Sequence, residues 1–125
     1  MAIGLGIDLV AVAAVAESLH GEHAAHYLER IYTPREVDDC RGAGGAVDPA
    51  RLAARFAAKE ATMKALGSGE GMRLTDIEVR REPSGQVRIE LSGKPAELAS
   101  QAGIEQLAVS LTHEGEYAAA AVLAS

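Results

Sequence analysis

Along residues 3–10, IGLGIDLV, the positions alternate: Ile3, Leu5, Ile7 and Leu9 point one way, and Gly4, Gly6, Asp8 and Val10 the other. A period of two predicts a strand, with the Ile/Leu side packed and the glycine side nearly bare. Residues 11–30 are Ala-rich and compatible with helix, broken around Gly21. In TPRE, residues 33–36, Thr33 is a natural N-cap, Pro34 takes the first helical position and Glu36 closes a capping box, so a short helix to about Cys40 follows. Asp48 and Pro49 repeat the cap-plus-proline start, and a long helix is predicted from there to Leu66, ended by Gly67. RGAGGAVD (41–48) and GSGEG (67–71) read as flexible loops. Strands are expected at 75–82 and 86–91, joined as a hairpin across Ser84 and Gly85. A short helix over Lys94–Ala102 and strands at 106–112 and 116–124 complete the chain. No repeat, linker or second domain interrupts residues 1–125, so the expected fold is one α+β domain, a mostly antiparallel sheet packed on the long helix.

The long helix carries an oddity. Leu52, Phe56, Glu60 and Lys64 fall four apart and share one row of its surface. The row begins apolar and ends with an acid and a base, with Lys59 and Met63 beside them. An ordinary Glu–Lys pair at this spacing lies on the solvent face and is worth about 0.2–0.5 kcal/mol. This one lies on the apolar stripe, where unpaired charge is costly. Either a buried ion pair or a cleft where a cation and an anionic ligand complete the circuit resolves it.

Composition sharpens the second option. Hydrophobic residues make up 48% of the chain but include one Phe, three Tyr and no Trp, so the core must be built of Ala, Leu, Val and Ile. A core this thin favours oligomerisation. The net charge of −6 argues against nonspecific nucleic-acid binding and against anionic membrane surfaces. Its distribution is uneven: residues 1–48 hold eight acids and three bases, whereas residues 49–73 hold five bases and two acids. The bases gather around the odd helix, as a local anion site requires. Cys40 is the one cysteine, which excludes an intrachain disulfide and suits a reducing, cytoplasmic setting; no Cys–His signature surrounds it, and it reads as a passive thiol. The N-terminus lacks a basic leader-type segment, and no apolar run approaches membrane-spanning length, so a soluble protein is expected.

Candidate chemistry centres on three places. Asp8 has Gly4 and Gly6 as neighbours on its own face, so either it marks a solvent-facing edge or a ligand approaches the backbone there. GLGIDL lacks the third glycine and the βαβ context of a dinucleotide fingerprint, which excludes that reading. Asp8 and Glu60, joined by phosphate oxygens, form a donor set suited to Mg²⁺, with lysines offsetting phosphate charge. His113 ends the strand LAVSLTHEG, and a lone strand-end His is more often structural than catalytic. His20, His23 and His26 flank Gly21 with no acid or Cys to complete a metal set, and read as surface residues.

Three stretches together, GIDLV (6–10), RFAAKEATMKALG (55–67) and VSLTHEGEYAAAAV (109–122), resemble the motifs of the holo-acyl-carrier-protein synthases, the small phosphopantetheinyl transferases. YTPRE (32–36) and SGQVRIELSG (84–93) also stand where that family has them, so the resemblance spans nearly the whole chain. It implies Mg²⁺-dependent transfer of 4'-phosphopantetheine from coenzyme A to a serine of an acyl carrier protein, releasing 3',5'-ADP, in fatty-acid or polyketide biosynthesis. By position, Asp8 and Glu60 would hold Mg²⁺ with the pyrophosphate, and Lys64 would sit against the phosphates and assist the leaving group. Lys59 and Arg55 would add positive charge nearby, and Ser110 and His113 would contact the nucleotide end of coenzyme A. The serine's proton would pass to Glu60 or to a metal-bound water. The resemblance further implies a homotrimer with each site built between neighbouring subunits, and a place near the neighbour's coenzyme for the hairpin around Pro83–Gly85.

One departure changes the expected partner. The family commonly follows the first strand with Glu and then a helix bearing arginines that grip an acidic carrier; here Ala11 and Ala14 stand at those places, and no Lys or Arg precedes Arg30. Glu17 and Glu22 occupy the helix instead, so a strongly acidic carrier would be repelled and a less acidic carrier domain, as in a polyketide or multidomain synthase, is the expected partner. Two rival readings stand beside catalysis: a non-catalytic coenzyme A-binding module, and a structural trimer whose charged helix row forms inter-subunit ion pairs.

Overall fold

The computed structural model describes residues 3–67 and 69–125. The elements run β1 (Gly4–Ala11), α1 (Val12–Ser18), α2 (Ala24–Ile31), α3 (Pro34–Asp39), α4 (Pro49–Leu66), a 3₁₀ turn (Leu74–Asp76), β2 (Ile77–Arg81), β3 (Val87–Leu91), α5 (Gly93–Gln101), β4 (Leu107–Glu114) and β5 (Tyr117–Ala124). The architecture is α+β with two antiparallel sheets, a three-stranded one ordered β1-β5-β4 and the hairpin β2-β3.

Local chemistry sets the boundaries of α4. The Asp48 carboxylate accepts from the Ala50 N–H at 2.9 Å, Pro49 follows, and Gly67 closes the helix in the left-handed conformation at φ 87°. Two alanine-rich clusters flank the helix. One joins Ala57, Ala61 and Ala65 to Val79, Ala120 and Val122; the other joins Leu52 and Ala53 to Val15, Tyr32, Cys40 and Ala118. With so little side-chain volume between them, helix and sheet backbones approach closely.

That approach reverses the faces expected for β1. Gly4 and Gly6 lie against α4, where a Cβ would come within 1.9 Å of the Ala65 carbonyl oxygen and 1.8 Å of the Ala61 carbonyl oxygen, respectively. The apolar side faces outward instead, with Ile3 70%, Leu5 71%, Ile7 68% and Leu9 64% exposed. Leu5 pairs across the ladder with Leu123 (45% exposed), which extends the apolar face onto β5.

A buried ion pair ties the two sheets' supports together. Thr33 and Glu36 form the complete capping box of α3, and the Glu36 carboxylate also accepts from Lys59 Nζ at 2.7 Å and from the Val79 N–H at 2.8 Å. Lys59 donates further to the carbonyls of Leu74 (2.9 Å) and Ile77 (2.7 Å), so one ammonium links α3, α4 and the start of β2. On the hairpin, Glu78 faces Glu90 and Arg80 faces Arg88, like charges that would repel. Arg35 of α3 bridges the two glutamates and Asp39 takes Arg80, so α3 holds the hairpin by charge as well as by its cap.

Candidate active site

β1 and α4 bring Asp8, Glu60 and Lys64 together. Lys64 Nζ donates to the Ile7 carbonyl at 3.0 Å and to Asp8 Oδ1 at 3.2 Å, reaching across the small-residue contact between strand and helix. The Asp8 side chain is 19% exposed and that of Lys64 55%. Along the helix row, Leu52 is buried, Phe56 and Glu60 are half-buried and Lys64 is exposed, so the row turns polar as it leaves the core. Glu60, Met63, Lys64, Gly67 and Gly69 line an open cavity of about 370 Å³ beside it. Met63 and the two glycines went unnoticed as lining residues in the sequence, although the glycine-rich stretch after the helix was the available signal.

Burial raises the Glu60 carboxyl above its ordinary range, the Asp8 carboxylate raises it further, and Lys64 partly offsets both. Asp8 and Glu60 are a fitting pair of oxygen donors for a small divalent cation, with phosphate oxygens and water completing its shell. Among the described residues no group of three or more His, Cys, Asp or Glu assembles, and His20, His23 and His26 are exposed, as expected for surface residues. No helix among the described residues is long and apolar enough to cross a membrane.

Lys59 requires a correction. Expected to add charge to the coenzyme site, it is fully buried, and the three protons of its ammonium go to Glu36, Leu74 and Ile77, leaving none for a phosphate. Desolvation lowers its pKa despite the pull of Glu36. Its partner lies 23 residues away, a distance at which helical spacing carries no signal. Arg55 is 5% exposed and donates to the Arg51 carbonyl at 3.3 Å; its Nε has no partner among the described residues, and its charge lies beside Cys40, away from the Glu60–Lys64 cavity.

Ser110 and His113 are not brought to Asp8 within one chain. β5 separates β4 from β1, which places them about 10 Å apart across the sheet. Ser110 pairs with Ala121 on the outer face and lines a different cavity, of about 430 Å³, with Gln86 and Val87. His113 pairs with Ala118 on the α4 face, three residues further along β4.

Comparison with known proteins places this geometry. Residues 4–122 match the 4'-phosphopantetheinyl transferase superfamily. A holo-[acyl-carrier-protein] synthase of Koribacter versatilis is 42% identical over 125 residues, covering 98% of both chains. One of Halorhodospira halophila is 41% identical, covering 98% of this chain and 97% of that one. Among solved structures, the Helicobacter pylori holo-[acyl-carrier-protein] synthase in complex with coenzyme A superposes with a TM-score of 0.82 at 30% identity, covering 97% of this chain and 99% of that one.

Proposed function

Because the chain belongs to the 4'-phosphopantetheinyl transferase superfamily, as a phosphopantetheinyl transferase of the holo-acyl-carrier-protein synthase kind, we propose that it moves 4'-phosphopantetheine from coenzyme A to a carrier-protein serine in a Mg²⁺-dependent reaction that releases 3',5'-ADP. The observation that carries this reading is the convergence of Asp8 with Glu60 and Lys64, the latter two lining one open cavity.

Asp8 and Glu60 would hold Mg²⁺ against the pyrophosphate. When bound, the ion supplies neutralisation of the phosphoryl oxygens. In the reaction, the serine oxygen bonds to the phosphorus that carries the pantetheine, and the bond from that phosphorus to the 3',5'-ADP oxygen breaks. Lys64, half-exposed and held to Asp8 by a 3.2 Å bond, can swing onto the phosphate and donate to the leaving oxygen. Glu60, half-buried and lining the cavity, is a candidate acceptor for the serine's proton.

The functional form we propose is a homotrimer with its sites between subunits. Two observations support it. The outer face of the three-stranded sheet carries Leu5, Ile7, Leu9 and Leu123 uncovered in the single chain, and a contiguous apolar patch of this kind marks an interaction surface. Ser110 opens onto that face while Asp8 opens onto the other, so one ligand touching both needs residues of two chains. The carrier we propose is a less acidic one, because Glu17, Glu22 and Glu29 are exposed on α1, α2 and their junction, with Arg30 the one base there.

The test is intact-protein mass spectrometry of apo carrier proteins, acidic and near-neutral, incubated with the chain, coenzyme A and Mg²⁺, with an EDTA control. A metal-dependent gain of one phosphopantetheine, greater on the near-neutral carrier, is expected. No gain on any carrier would favour the coenzyme A-binding module, and a preference for the most acidic carrier would overturn the partner assignment.

A further inference from the structure

At Gly4 and Gly6 the contact between β1 and α4 is made by backbone, and its register coincides with the site. A strand advances about 6.8 Å every two residues and a helix about 6 Å every four, so a glycine at alternate strand positions can meet a carbonyl at every fourth helix position. Gly6 meets the carbonyl of Ala61, next in sequence to Glu60, and Gly4 meets that of Ala65, next to Lys64. A Cβ on Gly6 would sit 1.8 Å from that oxygen, 2.7 Å from its carbon and 3.0 Å from the Ala65 nitrogen. Relaxed carbon–oxygen contacts are about 3.3–3.6 Å. No side chain is present to give way, so an added methyl must lift β1 from α4 by about 1.5 Å. Asp8, two residues on along the same face, would rise with it.

We propose that Gly6, with Gly4 in support, is a positioning residue that sets the reach of Asp8 to Glu60 and Lys64, and so the affinity for the divalent cation. This rests on the proposed Mg²⁺ site. A merely structural glycine would cost stability wherever the clash fell. A positioning glycine costs metal affinity as well, and that loss is recoverable by lengthening the arm it displaced. Asp8→Glu adds one methylene, about the length of the displacement.

The probe is Mn²⁺ binding by electron paramagnetic resonance with coenzyme A present, alongside thermal melts. Gly6→Ala is expected to weaken Mn²⁺ binding at least tenfold. Gly6→Ala with Asp8→Glu should recover most of that loss without recovering the melting temperature, although Asp8→Glu alone weakens binding. Val79→Ala, a core truncation under the hairpin, should lower the melting temperature and leave Mn²⁺ binding within twofold. Equal metal loss in Val79→Ala at equal destabilisation, or no recovery in the double variant, would overturn the assignment. Should Gly6→Ala not fold, Gly4→Ala has a nearly equal clash farther from Asp8, and a loss of about threefold rescued by Asp8→Glu is expected; no loss there overturns it. Absence of Mn²⁺ binding by the unsubstituted chain would instead overturn the proposed metal site itself.

Discussion

Replacing Lys59 by Met tests whether the interior of this protein is held by charge. Methionine keeps the length of the side chain and its apolar stem while removing three hydrogen bonds of 2.7, 2.9 and 2.7 Å. The Glu36 carboxylate would remain buried with only the Thr33 and Val79 N–H groups as donors, and the Leu74 and Ile77 carbonyls would lose a partner. Removing one member of a buried pair costs about 3–5 kcal/mol, a third or more of the stability of many domains. For a chain of this size that is a fall of roughly 10–20 °C in melting temperature. Urea unfolding followed by circular dichroism should show a lower midpoint at unchanged slope. The sign of a second substitution is more telling than the size of the first. Glu36→Gln alone should destabilise, because it weakens the pair and the cap. Added to Lys59→Met it should stabilise by about 1–2 kcal/mol, because the uncompensated charge is then the larger liability. A loss below about 1 kcal/mol for Lys59→Met, or a second substitution that destabilises in both backgrounds, would refute the reasoning.

Three further outcomes are expected. Glu60→Gln should raise the melting temperature of the metal-free chain and abolish transfer: the Glu60 pKa is raised by burial and by Asp8, so its ionised form opposes folding and that cost grows as pH rises through its range. A Mg²⁺-induced stabilisation in the variant equal to that of the parent would contradict it. Leu5→Asp places a charge on the uncovered sheet face, where each outward side chain of β1 stands to gain about 1–2 kcal/mol on burial; light scattering should show a monomer, and an unchanged assembly would remove the interface from that face. Burial pushes the Cys40 thiol up to about 11, from an ordinary value of 9.0, so its stabilising contribution is full below pH 9 and is lost as pH rises towards 11. Cys40→Ala should flatten the stability profile in that window by about 2–3 kcal/mol, and an unchanged profile in urea titrations would show that another group governs it.

The parts of this molecule that were legible in its sequence are those decided within a few residues. The start and end of α4 follow from Asp48, Pro49 and Gly67, and the α3 cap from Thr33 and Glu36, because capping is local chemistry. The period of β1 was legible too, but its covered face was not: alternation distinguishes two faces without saying what lies against each, and here a helix backbone covers the glycines and leaves Leu5, Ile7 and Leu9 outside. Lys59 was misjudged for a similar reason, since nothing near it in sequence announces Glu36. Asp8, Glu60 and Lys64 were legible as a set because each interrupts an apolar pattern, whereas the separation of Ser110 from them follows from the strand order β1-β5-β4. The two surprises have one physical origin. Alanine at 57, 61 and 65 and glycine at 4 and 6 make the core thin, and the larger apolar side chains of β1 are left outside it. The same thinness lets strand and helix backbones touch, and only at that separation does the short arm of Asp8 meet Lys64 from the opposite element. A bulkier core would stabilise the single chain and hold its acidic and basic groups apart, so in this fold the poverty of the core is a condition of the site.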